Sequence, residues 1–221
     1  MTARPNPIFE QTLGHLNDRQ REQVEAAFAL LEYSSEPVHR QFLPALEDAT
    51  SRACLQRLLQ RTGRTLVEVA PGLRYTSGFD DTIAADLTAG WQPMGEMDRA
   101  VLTVILVNSV AIPRSEEQLH ADTWSSPYPT AVTEILRNTK IPPTEARAAL
   151  TRLTASGLVK LARGGENDGG YVPGPQLLRL TPAARERLQE QLILAAAPDH
   201  PLASAIRERR RSQQQKGNST P

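Results

Sequence analysis

A single cysteine in 221 residues, Cys54, excludes an intramolecular disulfide framework and any cysteine-rich zinc site. Aromatic residues make up only 5% of the chain, too few to line a large aromatic cofactor cavity. Long apolar runs are missing too. The longest, from Ala100 to Val107, is broken by Thr103 and falls far short of the ~20 residues of a membrane span. Behind the charge of Met1-Thr-Ala-Arg-Pro-Asn-Pro there is no apolar core, so no secretory signal is read there. The expectation is a soluble cytoplasmic protein with no membrane association. Net charge is absent as well, with 25 basic and 25 acidic residues, so there is no global pull toward nucleic acid.

What is present is enough for a core: 39% of residues are hydrophobic and 23% charged, which excludes whole-chain disorder. The length favours two domains. Charge is unevenly spread. Residues 1–95 carry nine basic and twelve acidic side chains, a net of −3, whereas residues 203–221 carry five basic and one acidic, a net of +4.

Residues 1–17, with Pro5 and Pro7, read as a mostly mobile arm offering Ile8, Phe9 and Leu13. Asn17 or Asp18 then caps an amphipathic helix with Val24, Ala27, Phe28 and Leu31 at i, i+3, i+4 and i+7. Glu36-Pro37 stops it. A short second helix is expected over 38–43, with Phe42 and Leu43 inward, and a third over 45–61 burying Leu46, Ala49, Ala53 or Cys54, and Leu58, with Leu55 a further candidate and Gly63 as its left-handed stop. Residues 65–77 alternate about Pro71-Gly72, which predicts a β-hairpin, and 79–87 reads as a short helix.

The pattern restarts after a linker at 91–96. Residues 97–110 form a strongly apolar helix ended by Pro113, and Ser115-Glu-Glu-Gln118 matches a capping box opening another segment. An irregular insertion at 122–129 precedes a helix through Val132, Ile135 and Leu136. Pro142 and Pro143 fit only the first turn of the next, which runs to Ser156 with Gly157 as its stop. A strand at 158–162, a glycine-rich loop at 163–170 and a returning strand at 171–180 complete a second hairpin. Thr181-Pro182 opens a last helix to about Leu194, and beyond it the tail reads as basic and largely disordered apart from a helix at 202–211.

The order helix, helix, helix, hairpin thus occurs twice. The predicted fold class is α+β, mainly α: two tandem winged helix-turn-helix domains, each of three helices and a β-hairpin wing. The predicted boundaries are 1–17 (arm), 18–90 (first domain), 91–96 (linker), 97–196 (second domain) and 197–221 (tail).

Chemistry is sparse. His15, His39, His120 and His200 never stand at ligand spacing with one another. Glu36/His39 and Glu117/His120 are one turn apart, a spacing more common in solvated pairs than in metal sites. Cys54 reads as a small buried hydrophobe without an activating neighbour. Gly164-Gly165 and Gly169-Gly170 lack the Lys-Ser/Thr ending of a phosphate loop. The expectation is a non-enzyme without catalytic residues, cofactor or metal.

Binding is the remaining class. In a winged helix the third helix enters the major groove and the wing meets phosphate. Residues 142–165 hold Arg147, Arg152, Lys160 and Arg163 against Glu145 alone, and Thr144, Arg147, Ala148, Thr151 and Arg152 share the face opposite the apolar stripe. The candidate DNA contacts are Thr144, Arg147, Thr151, Arg152, Arg163, Arg209 and Arg210, giving weak, non-specific binding. The corresponding helix of the first domain opens Leu46-Glu47-Asp48, which repels phosphate and suits a protein partner. The helix at 97–110 carries more apolar surface than a small domain covers, so Val101 and Ile105, with Ile8 and Phe9 of the arm, are the candidate dimer and partner interface.

Val24-Glu-Ala-Ala-Phe-Ala-Leu-Leu-Glu-Tyr-Ser-Ser-Glu-Pro-Val38 resembles the opening helix and Glu-Pro turn of segregation and condensation protein B. Leu66-Val-Glu-Val-Ala-Pro-Gly-Leu-Arg-Tyr-Thr76 is similar to its first wing, and residues 100–119 to the start of its second domain. With MukE and MksE, that family supplies the tandem winged-helix subunits of bacterial chromosome-organising, condensin-type machines. The resemblance implies a nucleoid-associated, non-catalytic subunit that forms a homodimer and binds the kleisin linking an SMC-type ATPase, in chromosome segregation or plasmid defence. A rival likeness runs from Leu158-Val-Lys to Leu180-Thr-Pro-Ala-Ala-Arg-Glu-Arg-Leu188, which is similar to the wing and following helix of MarR-like repressors. It implies a dimeric transcriptional regulator binding a palindromic operator.

Overall fold

The computed structural model describes residues 7–70, 72–83, 94–120, 123–162, 169–196, 198–199 and 201–217, with 7, 8, 70, 202 and 213–217 described by backbone alone. The chain forms two units, 1–93 with 175–181, and 94–174 with 182–221. Both are mainly helical, and each carries a small antiparallel sheet.

In the first unit α1 (Pro7–Leu13) replaces the expected mobile arm from residue 7 onward. Phe9, Leu13 and Leu16, at i, i+4 and i+7, lay one apolar stripe against the core, where Leu13 and Leu16 are buried. Such a short helix is marginal alone and is held by that burial. The box that starts α2 (Asp18–Tyr33) is reciprocal: Asn17 Oδ1 accepts from the Gln20 N–H at 2.9 Å, and Gln20 Oε1 accepts from the Asn17 N–H. Val24, Ala27 and Leu31 face inward.

The helix expected at 38–43 does not form. Pro37 and Pro44 leave six residues between them, too few for a helical nucleus, and β-branched Val38 favours extension. The chain makes β1 (Val38–His39) and two 3₁₀ turns, Arg40–Phe42 and Pro44–Leu46. Leu43 is buried as expected, but Phe42 is 59% exposed. α3 (Ala49–Arg61) starts later than expected because Asp48 is its cap, and Ala49 is exposed. Cys54, Leu55, Leu58 and Leu59 are its buried face, and Gly63, at φ +74°, ends the turn beyond it. β2 (Arg64–Ala70) and β3 (Arg74–Phe79) form the hairpin, with Val67 opposite Thr76. β1 lies on the far side of β3, Val38 opposite Tyr75, giving the order β1-β3-β2. The helix expected over 79–87 starts later, because Phe79 ends β3 and Asp80 is not helical; residues 81–83 are helical, and 84–87 lie outside the described residues.

In the second unit α4 (Glu96–Leu106) continues through a π-helical segment, Val107–Ala111, into α5 (Ile112–Ser115). Pro113 therefore does not end the helix. The Ile112 N–H reaches back five residues to the Val107 carbonyl, so the ladder changes register just before the residue with no N–H to donate. No helix opens at Ser115. Glu117 turns at φ +59°, and the irregular stretch after it is anchored by buried Trp124, under the Arg114 guanidinium at 4.7 Å. Thr130 makes a single antiparallel bridge to Tyr171. α6 (Val132–Thr139) and α7 (Pro143–Ala155) follow, and Gly157 turns the chain at φ +70° into β4 (Val159–Ala162). β5 (Gly170–Pro173) returns with Lys160 opposite Val172.

The returning strand was expected to run from 171 to 180; it stops at Pro173. Residues 175–181, opening with a 3₁₀ turn at Pro175–Arg179, belong instead to the first unit, where they pack on β3. A Cβ on Gly78 would collide with the Arg179 carbonyl, so glycine is what lets this segment lie against the strand. α8 (Pro182–Ala196) resumes the second unit. The tail expected to be largely disordered forms α9 (Pro201–Gly217), which buries Ala203 and Ile206.

Candidate functional site

α7 shows why its sequence makes two faces. Ala146, Ala149, Leu150 and Leu153 are buried with Val101 and Ile105 of α4 in one cluster, which turns Thr144, Arg147, Ala148, Thr151 and Arg152 to solvent. The five sequence-predicted residues do share a face, yet they are not equally available. Arg147 is exposed and has no ion pair among the described residues. The Thr151 hydroxyl donates to the Arg147 carbonyl at 3.0 Å, within its own helix. Arg152 is held by Asp98 of α4: its Nε donates to both carboxylate oxygens, at 3.2 and 3.0 Å, and its Nη2 to Oδ1 at 2.6 Å. That hydrogen bonding raises the Arg152 pKa above its ordinary value. Lys160 is exposed on β4, and Arg163 lies outside the described residues.

Arg209 and Arg210 are also engaged. Arg209 pairs with Glu190 and, at 3.6 Å, with Glu186; Arg210 donates to Glu190 at 3.0 and 3.2 Å. Of the seven expected DNA contacts, three are thus ion-paired within the chain. Glu186 and Glu190 stand four apart on α8, a spacing legible in the sequence as an acidic stripe. Asp98 lies 54 residues from Arg152, and no local pattern announces it.

The expected interface is corrected more sharply. Val101 and Ile105 are fully buried inside the second unit and offer no surface to another chain. The apolar excess of α4 is taken up by α6, α7, α8 and β5 around it. Phe9 packs edge-on against Phe28, ring centroids 5.4 Å apart. The Ile8 side chain lies outside the described residues. Large apolar side chains that do reach solvent include Tyr33 (86%), Phe42 (59%) and Leu161 (62%).

Cys54 is buried as expected, but not without polar neighbours. Arg57 Nη2 donates to its sulfur at 3.2 Å, and His15 Nε2 is 3.3 Å away. His39 Nδ1 accepts from the Gln41 N–H and so caps a 3₁₀ turn. Among the described residues no three His, Cys, Asp or Glu side chains are grouped to hold a metal ion, and no helix is long and apolar enough to cross a membrane. A cleft of about 340 Å³ in the second unit is lined by Ala111, Arg114, Ser115, Leu119, Gln189, Leu192 and Ile193, with no His, Asp or Glu among them to act as a base for the Ser115 hydroxyl. Its walls are mostly apolar and carry no nucleophile–base pair.

No family model matches the chain, and no curated protein does. A solved structure described as a conserved hypothetical protein from Chlorobium tepidum is similar at 18% identity, over 71% of this chain and 93% of that one, with a TM-score of 0.26. A likeness at that level defines neither fold nor activity.

Proposed function

We propose that the protein is a non-catalytic tandem winged-helix subunit of an SMC-type chromosome-organising or plasmid-defence complex, nucleoid-associated, which forms a homodimer and binds a kleisin-like partner. The observation that carries this reading is a repeated strand detail. In the first unit the chain preceding α3 lays Val38 against Tyr75 of the returning hairpin strand. In the second, the chain preceding α6 lays Thr130 against Tyr171 of the returning strand, with N–H···O bonds of 2.9 Å in both directions. A helix, a short strand on the hairpin, one or two helical turns, a helix and then the hairpin is the order of a winged helix, and the single bridge at Thr130, standing where the first unit has β1, supports reading the second unit the same way.

Against the rival repressor reading, Arg152, Arg209 and Arg210 spend their charge on carboxylates within the chain. The test is co-expression with the kleisin and SMC-type ATPase encoded in the same genome. Co-elution with the kleisin, and a dimer by light scattering at tens of micromolar, are the expected results. A strict monomer that does not co-elute overturns the proposal, and nanomolar sequence-selective DNA binding at physiological salt would install the repressor in its place.

A further inference from the structure

α8 carries Glu186 and Glu190 one turn apart, and α9 folds back on it through Ala203 and Ile206. This packing sets Arg209 and Arg210 over the two carboxylates. Glu190 is the centre: its side chain is 13% exposed, and it accepts from Arg209 through one oxygen and from Arg210 through the other. The arginines are less enclosed, at 50% and 31%. Beside them Arg207 donates to the Pro198 carbonyl at 2.8 Å, a neutral acceptor, and Arg211 is exposed.

The geometry points to a latched polyanion-binding helix. α9 is a phosphate-binding element whose two central cations are masked by Glu186 and Glu190, and a nucleic-acid backbone competes with those carboxylates for them. Glu190 is largely enclosed, but the arginines keep a solvated side from which a competing anion reaches them. A duplex gains in addition from the counterions it releases for every phosphate neutralised. The occupant is a nucleic acid and not a membrane because residues 207–217, Arg-Glu-Arg-Arg-Arg-Ser-Gln-Gln-Gln-Lys-Gly, contain no apolar side chain to enter lipid. The apolar residues of the helix precede that stretch, and Ala203 and Ile206 among them are already committed to α8. This inference stands apart from the kleisin reading and does not need it.

The experiment measures affinity of the full chain for a random-sequence DNA duplex against salt concentration, for wild type, Glu190→Gln, Glu186→Gln and Glu190→Gln with Arg209→Gln and Arg210→Gln. Unmasking two cations adds about two phosphate contacts, so Glu190→Gln should steepen the log–log salt slope by roughly 1–2 and tighten low-salt binding roughly tenfold. Glu186→Gln, whose carboxylate stands farther from Arg209, at 3.6 Å, should give a smaller shift of the same sign. The triple variant should return to the wild-type slope or below it. If Glu190→Gln loses helicity by circular dichroism, Glu186→Gln decides. Unchanged slopes overturn the inference, as does a gain that survives loss of both arginines. A gain on phosphatidylserine vesicles with none on the duplex overturns it in favour of a membrane.

Discussion

Arg179, far along the chain, ties together the end of α2 and the middle of β3 in the first unit. Its guanidinium donates to the Ser34 carbonyl at 2.6 Å, to the Glu32 carbonyl, and to the hydroxyl and carbonyl of Ser77. Burial pushes its pKa down, nearby Glu32 opposes that, and Arg64 adds to it. A planar fork serving several acceptors is not replaced by an ammonium. Arg179→Ala should cost about 2 kcal/mol, since hydrogen bonds to a charged donor are worth that much and the carbonyls lose their partner. Arg179→Lys should recover little of it. Urea midpoints read both, and a loss within error of zero would refute the role. Asp48 supplies a pH signature. The Ser51 N–H, then the Ser51 hydroxyl, hold its carboxyl below the ordinary range. A depressed folded-state pKa gives stability that is complete above the unfolded value and is lost as pH falls through the folded one. Asp48→Asn keeps a capping oxygen without the proton, so its stability should fall less steeply than wild type below about pH 4. Parallel acid limbs in denaturation midpoints would count against it. Asp80, lowered chiefly by the Thr82 hydroxyl, has the same sign and remains in both proteins.

At the scale of elements, junctions decide more than helix interiors. The turn after α7 and the end of β5 meet backbone to backbone: a Cβ on Gly174 would strike the Gly157 carbonyl, and the Gly174 N–H donates to the Leu158 carbonyl at 2.8 Å. Neither side can yield as a flexible side chain would. Gly174→Ala should therefore cost about 1–3 kcal/mol by overpacking. Gly72→Ala is the comparison, with open space around its Cβ and only its φ of +68° to resist substitution, and should cost about 1 kcal/mol. Equal urea midpoints for the two would refute the close-approach argument. The π segment of the second unit makes the same point. Ser109 in it is buried, and its hydroxyl lies 3.0 Å from that of Thr130, beside the bridge to Tyr171. A register change that accommodates Pro113 also brings a polar pair into the core.

At the scale of the whole chain, the first unit is discontinuous. A fragment ending at residue 93 lacks 175–181, and with them Arg179 and the Thr181 hydroxyl bonded to Asp81 at 2.6 Å. Amide exchange along β3 should be faster in that fragment than in the intact protein, and equal protection would show the segment to be dispensable. Partner capture is a separate question from stability. Tyr33 and Phe42 are far more exposed than a core needs, so Tyr33→Asp and Phe42→Asp should leave the urea midpoint unchanged. If either anchors the kleisin-like partner, its loss should cost about 2 kcal/mol of binding. Full-strength co-elution by both variants would place the interface elsewhere.

The doubled rhythm of helices and hairpins was legible in the residues because period, caps and breakers are local. Asn17 and Gln20, Pro143 and Gly157 each act within one turn of the chain, and α2, α7 and the first hairpin stand where those signals put them, whereas the returning strand of the second stops at Pro173. Tertiary structure decided whatever depended on partners far along the chain. Apolar Val101 and Ile105 read equally well as interface or core until α7 was seen to cover them. Between two prolines, Val38 and His39 became strand because Tyr75 and Arg74 were there to pair with them, and the next residues closed into a 3₁₀ turn. Arg152, Arg209 and Arg210 read as available charge in the sequence, yet Asp98 and Glu190 lie against them, since a cation's reach is set by the carboxylates that folding brings near and not by its neighbours in sequence.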